Sequence, residues 1–550
     1  MTLFCLCAGA QTAPPGFRVV DLAEPLGLTE TTVFGSPETS SVILETTGPG
    51  TAIFDYDGDG DNDVFVANGV TLKQHAEGDG GPSALYRNDG PDGFANVAVQ
   101  AGLTKIGWAQ GVCAADYDND GDDDLFVAYH GVDTLYRNDG RGRFTDHTNA
   151  AGLPTSGTRW GAGCAFLDYD RDGLLDLFVS NYVEMTLDEM PEPGSAASCY
   201  WQKLPVFCGP RSLPKARNYL YRNQGDGSFE DVSEAAGILN PGKRFGLGVV
   251  AADFNNDGWT DVYVACDQTP SLLYENQTDG TFTERGLEAG VAYNFHGALQ
   301  AGMGVSVADV DDNGFLDIVK TNFQGDLPSF YLNEDGVFYE DLAREAGLGA
   351  NKLLGWGVLF LDWDADGRED VLMAHGHIYP EVAQAGIGES YRQPTVLYRG
   401  LSGARFADVT AESGPGLSVG RAARGMAAGD LDGDGRPEVV VVDLHSRPSV
   451  LANQAEAGNF FRIELEGAES NRSAIGARVE ITTASGKQFQ DVVGGGSFFS
   501  ESERARYFGL GSLKSVDRLR VTWPSGRTDE FESLPAGAYN LKEGQAPKPR

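Results

Sequence analysis

Over the first four fifths of the chain, short apolar runs alternate with polar turns in a phrase that recurs seven times. Each copy opens on small and apolar residues, as in RWGAGCAFL before Asp168 or LLGWGVLFL before Asp362. An acidic turn follows, then a compact apolar run such as DLFVSN from Asp176 or DVYVAC from Asp261. A third run reads LYRN or a close variant, from Leu85, Leu135, Leu220, Leu273, Phe330 and Leu397, and a brief aromatic-led run closes the unit, as in FTDHTNAAGL from Phe144. Runs of this length, bounded by Gly, Asn and Asp, are too short for helices and read as strands. One repeat is therefore four short strands. A sheet that small cannot bury its own faces, but a closed ring of such sheets can, so the pattern predicts an all-β chain with a seven-bladed β-propeller over 16–457. Glycine and alanine on each first strand suit the crowded centre of the ring.

The ends of the array predict how it closes. The seventh repeat, from Asp430, lacks its fourth strand, and Phe17 to Leu28, FRVVDLAEPLGL, matches the phrase that ends the others. This segment is expected to complete the last blade and remove an open edge. Three repeats carry insertions between their second and third strands, Gly69 to Pro82, Tyr182 to Arg217 and Gly376 to Pro394. Equivalent hairpins emerge on one face of a propeller, so the insertions are expected to gather there and to mark where a partner is met. From Asn459 the pattern changes, and ARVEI, DRLRVTW and TDEFESL alternate apolar and polar residues as half-buried strands do. A small separate β domain is predicted over 458–545. Its Arg478, Arg504, Arg506 and Arg520 admit two readings, an anion site or charges paired with neighbouring acids.

The acidic turns carry the candidate chemistry. In DYDNDGDDD, Asp116, Asp118 and Asp120 stand at alternate positions, Gly121 turns the chain, the main-chain carbonyl of Asp122 follows, and Asp124 closes the set while starting a strand. The other six sets are Asp55, Asp57, Asp59, Asp61 and Asp63; Asp168, Asp170, Asp172, Leu174 and Asp176; Asp253, Asn255, Asp257, Trp259 and Asp261; Asp309, Asp311, Asn313, Phe315 and Asp317; Asp362, Asp364, Asp366, Arg368 and Asp370; and Asp430, Asp432, Asp434, Arg436 and Glu438. In each the seventh-position residue (Asp61, Leu174, Trp259, Phe315, Arg368 or Arg436) offers its carbonyl, and every departure from Asp at the other positions keeps an oxygen. An all-oxygen set in a tight loop suits a hard divalent cation, and its flexible geometry suits Ca2+ over Mg2+. One acidic turn means little, since Asp and Gly favour turns for structural reasons; seven in register predict about seven structural calcium ions.

Charge sharpens the picture. The net charge of -39 is concentrated in these turns, and what lies outside them gives no basic footprint for nucleic acid. No apolar stretch reaches the eighteen or so residues of a membrane span. The start, MTLFCLCAGAQTAPP, is an apolar run followed by Ala8-Gly9-Ala10, which reads as a truncated signal segment over 1–15 and predicts an exported protein: extracellular, periplasmic or at the cell surface. Cys5 and Cys7 fall within it. Cys199 and Cys208 lie in the second insertion and are expected to form a disulfide, whereas Cys113, Cys164 and Cys266 occupy strand positions and read as small buried residues.

With these residues in place, the chain resembles the cartilage acidic protein family in its bacterial form: seven DxDxDG loops of FG-GAP/VCBS type, then GAR, GGGSFFS, RYFGLG and VTWPSGR as in an ASPIC/UnbV domain. The resemblance implies an extracellular calcium-binding propeller engaged in adhesion or matrix contact. Two functions follow from the sequence. The first is a calcium-stabilised binding or adhesion module that meets a protein or glycan on the insertion face. The second is a lyase or hydrolase acting on polysaccharide, for which His375 and His377, at the start of the third insertion, are the best catalytic candidates; locally hydrogen-bonded loop histidines are their plainer reading. No nucleophile elbow, phosphate loop or zinc spacing supports an enzyme. Asn68, Tyr129, Asn181, Cys266, Asn322 and Asp443, equivalent to His375 in the other repeats, are expected to ring that face with polar groups.

Overall fold

The computed structural model describes residues 16–349 and 352–550, so the expected signal segment, with Cys5 and Cys7, lies outside the described residues. In the first repeat, Thr51–Phe54, Asp63–Val66, Ala84–Asn88 and Phe94–Asn96 pair antiparallel in chain order. Six further sheets among the described residues have the same plan, opening on Ala109–Ala115, Gly161–Leu167, Gly246–Ala252, Gly302–Ala308, Gly355–Leu361 and Ala423–Gly429. Second strands such as Asp124–Tyr129 and Asp176–Asn181 are buried at every position. Each sheet is covered on both faces by its neighbours, which explains why these strands are continuously apolar instead of alternating.

The seven sheets close into a ring, and a glycine in each fixes how tightly. Gly50, Gly111, Gly163, Gly248, Gly304, Gly357 and Gly425 all stand five residues before the first acid of their turn. A Cβ at Gly111, Gly163, Gly248 or Gly304 would lie 1.9, 2.5, 2.3 or 2.1 Å from the main-chain oxygen of Ala162, Leu247, Met303 or Trp356, in each case the residue before the next sheet's own glycine. Gly425 faces Pro49 O in the same way, and the Gly50 N–H donates to Gln110 O at 2.9 Å, so the seventh sheet meets the first and the first meets the second. Closure comes from the N-terminal segment: Val19–Asp21 pairs antiparallel with Ser449–Asn453 as the outer strand of the seventh sheet.

Beyond the ring, two four-stranded sheets form a sandwich. One holds Arg506–Gly511, Asn459–Glu466, Gly537–Lys542 and Lys548–Pro549; the other holds Gly486–Asp491, Arg478–Thr483, Ser515–Thr522 and Thr528–Pro535. Their inner faces share Phe461, Ile463, Val479, Ile481, Leu519, Val521 and Trp523 as one core. The connection from Val492 to Ala505 leaves this sandwich and threads the centre of the ring. Gly494–Gly495 adds a fifth strand to the fourth sheet beside Val250 and Ala251. Further along, Ser497 O accepts from Val305 N at 2.8 Å and Phe499 O from Val112 N at 3.0 Å. Ser500 Oγ accepts from both Thr51 N and Met426 N at 3.2 Å. The channel is thus filled by GGGSFFS.

In an antiparallel meander, the turns after first strands and the hairpins after second strands leave on opposite faces. The acidic turns accordingly share one face, and the sandwich sits on it. Arg472 N donates to Asn119 Oδ1 at 2.9 Å, Arg171 Nε to Pro524 O at 2.9 Å, Gly511 N to Ala365 O at 2.8 Å, and Arg504 pairs with Asp123 at 2.6 Å. All three insertions leave on the other face.

Candidate metal loops and the opposite face

The backbone builds each acidic turn before any ion is considered. Position four adopts the left-handed conformation in every loop, at Gly58, Asn119, Arg171, Asn256, Asp312, Ala365 and Gly433, and the glycine at position six does so again. The first carboxylate is held by the turn it opens: Asp116 accepts the N–H groups of Asp120 and Gly121 at 3.0 and 2.8 Å, and Asp362 those of Asp366 and Gly367 at 3.0 and 2.8 Å. The ninth is held from both sides, Asp124 accepting Tyr117 N at 3.3 Å and Asn138 N at 2.8 Å.

First, third and ninth positions converge. One oxygen each from Asp55, Asp57 and Asp63 lies within 4.8 Å of the others, and the same holds for Asp116, Asp118 and Asp124; Asp168, Asp170 and Asp176; Asp309, Asp311 and Asp317; and Asp362, Asp364 and Asp370. In these five trios the fifth-position side chain stands aside. Asp59, Asp120, Asp172, Asn313 and Asp366 accept the N–H of the seventh-position residue, at 3.0, 3.2, 3.0, 2.8 and 3.1 Å, and Arg137 and Arg222 reach Asp120 and Asp172 from outside. The fifth-position residue, expected as a fourth ligand, thus has one oxygen engaged by the turn's own N–H group while the first, third and ninth side chains converge.

Burial loads these trios with unfavourable charge. Removal from water, then the neighbouring Asp118, Asp116 and Asp120, push Asp124 up to about 9 against the opposing Asn138 N–H; burial likewise takes Asp63 to about 8 and Asp116 to about 7, and lifts Asp176 and Asp370 well above the carboxylate range. At Asp57, Asp118, Asp170 and Asp364, moreover, Oδ1 is buried with no hydrogen-bond partner. Orphaned carboxylate oxygens aimed at like-charged neighbours fit a cation in these four loops, and an all-oxygen donor set selects a hard one.

A role that the sequence reading missed belongs to the Asn of LYRN. Asn138 Nδ2 donates to Tyr56 O at 2.7 Å in the preceding sheet and to Asp123 O at 3.0 Å in its own; Asn223 does the same with Tyr117 and Leu175, Asn276 with Tyr169 and Thr260, Asn333 with Phe254 and Leu316, and Asn88 with Leu431 and Asn62. Each staples one acidic loop to the next. Recurrence of Asn at a fixed place in a repeated phrase was the available signal.

On the opposite face the insertions meet. Trp201 Nε1 and Gln202 Nε2 of the second donate to Glu389 of the third, both at 2.6 Å, and the rings of Phe207 and Tyr379 lie 4.8 Å apart. Val70 of the first and Phe34 join the same apolar cluster, which runs through Trp108, Trp160 and Trp356 to Phe498 and Phe499 in the channel. Above the channel mouth lies a cavity of about 510 Å³ lined by Tyr182, Trp201, Phe323, Trp356 and Tyr379 with Asp267, Gln268, Gln324 and Asp326.

Other candidates resolve as follows. His375 is buried with Nδ1 3.1 Å from Pro394 O, and His377 Nδ1 accepts Tyr379 N at 3.1 Å; burial brings both down to about 4, so they are neutral and locally bonded. The polar ring at equivalent positions is corrected: Tyr129, Asn181, Cys266, Asn322 and Asp443 are buried under the loops of that face. Cys199–Cys208 forms a disulfide; Cys113 and Cys164 are buried, as read, but are bonded to each other, which corrects their reading as merely small core residues. Both sit on first strands of adjacent sheets, where the ring's neck brings their Cα atoms to 6.1 Å; Cys266 stays buried and free. Of the four arginines, Arg478 pairs with Asp491 at 2.7 Å, Arg504 with Asp123 and Arg520 with Glu530 at 3.6 Å, while Arg506 donates to the carbonyls of Asp491, Glu503 and Arg504, which leaves no anion site among them.

Comparison with known proteins agrees with this architecture. Residues 467–548 match the ASPIC and UnbV family model, and 55–127, 116–179, 206–264 and 253–320 match that of the FG-GAP-like repeat. The chain is 27% identical over 336 residues to cartilage acidic protein 1 of Xenopus tropicalis, covering 56% of this chain and 49% of that protein. To the Homo sapiens protein of that name it is 25% identical over 335 residues, covering 58% and 39%. The match spans half or less of these relatives' length. Among solved structures, YCF48 from Cyanidioschyzon merolae superposes with a TM-score of 0.39 at 12% identity, over 75% of this chain and 97% of that one.

Proposed function

We propose that this chain, a homologue of cartilage acidic protein 1 that joins FG-GAP-like repeats to an ASPIC and UnbV domain, is an exported calcium-loaded propeller acting as a binding module. One observation carries the reading. The acidic-loop face is covered by the C-terminal domain, while the three insertions rise together on the other, where the second and third line an aromatic-walled cavity. Calcium has a structural part: first-, third- and ninth-position side chains such as Asp116, Asp118 and Asp124 would hold each ion, and the LYRN asparagines transmit the set loop to its neighbour. Bound calcium would supply the positive charge that lets those buried carboxylates ionise. Two disulfides, Cys113–Cys164 and Cys199–Cys208, support an oxidising compartment. The partner is a protein or glycan met by the insertions.

The test is a binding screen of the labelled full chain, in calcium, against glycan and matrix-protein arrays. A variant with 184–213 replaced by a short Gly-Ser linker is run beside it, and its fold is checked by melting. Loss of binding in that variant with the fold retained is the expected outcome. Equal binding by both would place the partner elsewhere.

A further inference from the structure

The cavity on the insertion face has a chemistry specific enough to name its ligand class. We propose that it takes a neutral sugar residue, stacked against Trp201 and held by Gln324, Asp326 and the Arg211–Gln268 pair; this rests on the binding-face reading above. Its volume of about 510 Å³ falls within the roughly 300–1,000 Å³ of pockets that hold small ligands.

The aromatic wall is fixed before any ligand arrives. Trp201 stands 5.6 Å from Phe323 and 6.1 Å from Tyr379 between ring centroids. Its Nε1 is engaged by Glu389, and the Tyr182 hydroxyl donates to Asp267 at 2.6 Å. With their polar atoms committed to protein partners, these rings offer the cavity only rigid carbon surface, which suits the C–H face of a pyranose.

The polar groups select among ligands that could lie on such a wall. Gln324 donates its amide N–H to Glu389 at 3.1 Å, which leaves its buried Oε1 without a hydrogen-bond partner. Arg211 donates from both Nε, at 2.8 Å, and Nη2 to Gln268 Oε1, which leaves the Gln268 NH2 and Arg211 Nη1 as donors. Asp326 adds an acceptor. A ligand must therefore both donate and accept over a short distance, as vicinal hydroxyls do. A uronate would bring its carboxylate against Asp267 and Asp326, and a cationic amine would face Arg211. A purely apolar ligand would leave Gln324 Oε1 buried and unpaired.

The experiment titrates the calcium-loaded full chain with maltose, cellobiose and N,N′-diacetylchitobiose, following tryptophan fluorescence and calorimetric heat. Digalacturonate, choline and an aromatic-rich peptide serve as comparators. At least one neutral disaccharide is expected to saturate, at least tenfold weaker in Trp201→Ala and about fivefold or more weaker in Gln324→Ala and Asp326→Ala. Gln324 shares Glu389 with Trp201, whereas Asp326 has no hydrogen bond to the third insertion, so Asp326→Ala keeps the test decisive if Trp201→Ala or Gln324→Ala unseats that loop. Saturation by a comparator instead, lost in the same variants, overturns the sugar class while leaving the binding face standing. Saturation by none of the three disaccharides, or equal affinity in Gln324→Ala and Asp326→Ala, overturns the proposal; the array screen with the shortened second insertion then decides the broader reading by itself.

Discussion

At the scale of single residues, the energetic question in the acidic loops is where the carboxylate charge goes. An unfolded Asp titrates near 3.9, whereas burial sets Asp116 at about 7, Asp63 at about 8 and Asp124 at about 9 in the metal-free fold. Groups whose pKa rises on folding stabilise fully below the unfolded value, and that stabilisation is lost as pH climbs through the folded values. In excess chelator, the melting temperature is therefore expected to fall steadily between about pH 5 and pH 9. In 1 mM calcium the trend should reverse over the same window, because the ligands must be ionised to bind. Parallel melting curves with and without calcium would show that no ion uses these loops. Asp118→Ala should remove one bound ion by elemental analysis and, for a site with a dissociation constant near 10 µM, about 2.7 kcal/mol of stabilisation at that calcium level. These residues were legible because the ligands of one site lie within nine positions of each other. The Cys113–Cys164 bridge was not, since nothing in a spacing of 51 residues says that two first strands will touch.

Among elements, the strands were legible for the same local reason, and the joints between them were not. LYRN reads as a strand in the sequence, but its asparagine acts between sheets, and only the ring brings its two acceptors together. Asn223→Ala leaves the carbonyls of Tyr117 and Leu175, now 2.8 and 3.0 Å from the amide, buried without donors, at a cost of about 1–3 kcal/mol. Hydrogen exchange should then speed in both the second and third sheets; an effect confined to the third would refute the staple. The glycine ring makes a stricter demand. A Cβ at Gly304 would lie 2.1 Å from Trp356 O, a main-chain atom that cannot step aside, so Gly304→Ala should cost about 1–3 kcal/mol or more. Gly280→Ala, where a Cβ meets nothing within 4 Å, should cost only the strain of its positive φ, and chemical denaturation of the two variants compares them directly. The expectation of a polar ring on the insertion face failed at this level. Insertions that gather on a face also bury what lies beneath them.

For the whole molecule, the decisive feature is that the C-terminal domain holds the propeller from two sides. Its strands rest on the acidic loops through contacts such as Gly511 N with Ala365 O at 2.8 Å, and its GGGSFFS connection fills the channel. The sequence marked that phrase as part of the tail, but no local pattern says that a loop will leave its own domain. Phe498, fully buried against Trp356 with ring centroids 4.9 Å apart, belongs by chain to the sandwich and by packing to the propeller. Truncating a buried Phe costs about 3–5 kcal/mol, and here the loss should fall on both units. In wild type the two should unfold in one calorimetric transition, since opening either exposes the plug. Phe498→Ala should lower that transition and raise amide exchange at Val112 and Val305, whose N–H groups are held by Phe499 O and Ser497 O at 3.0 and 2.8 Å. If those amides stay protected while only sandwich strands such as Arg478–Thr483 exchange faster, the plug contributes nothing to the ring, and the two units are merely tethered.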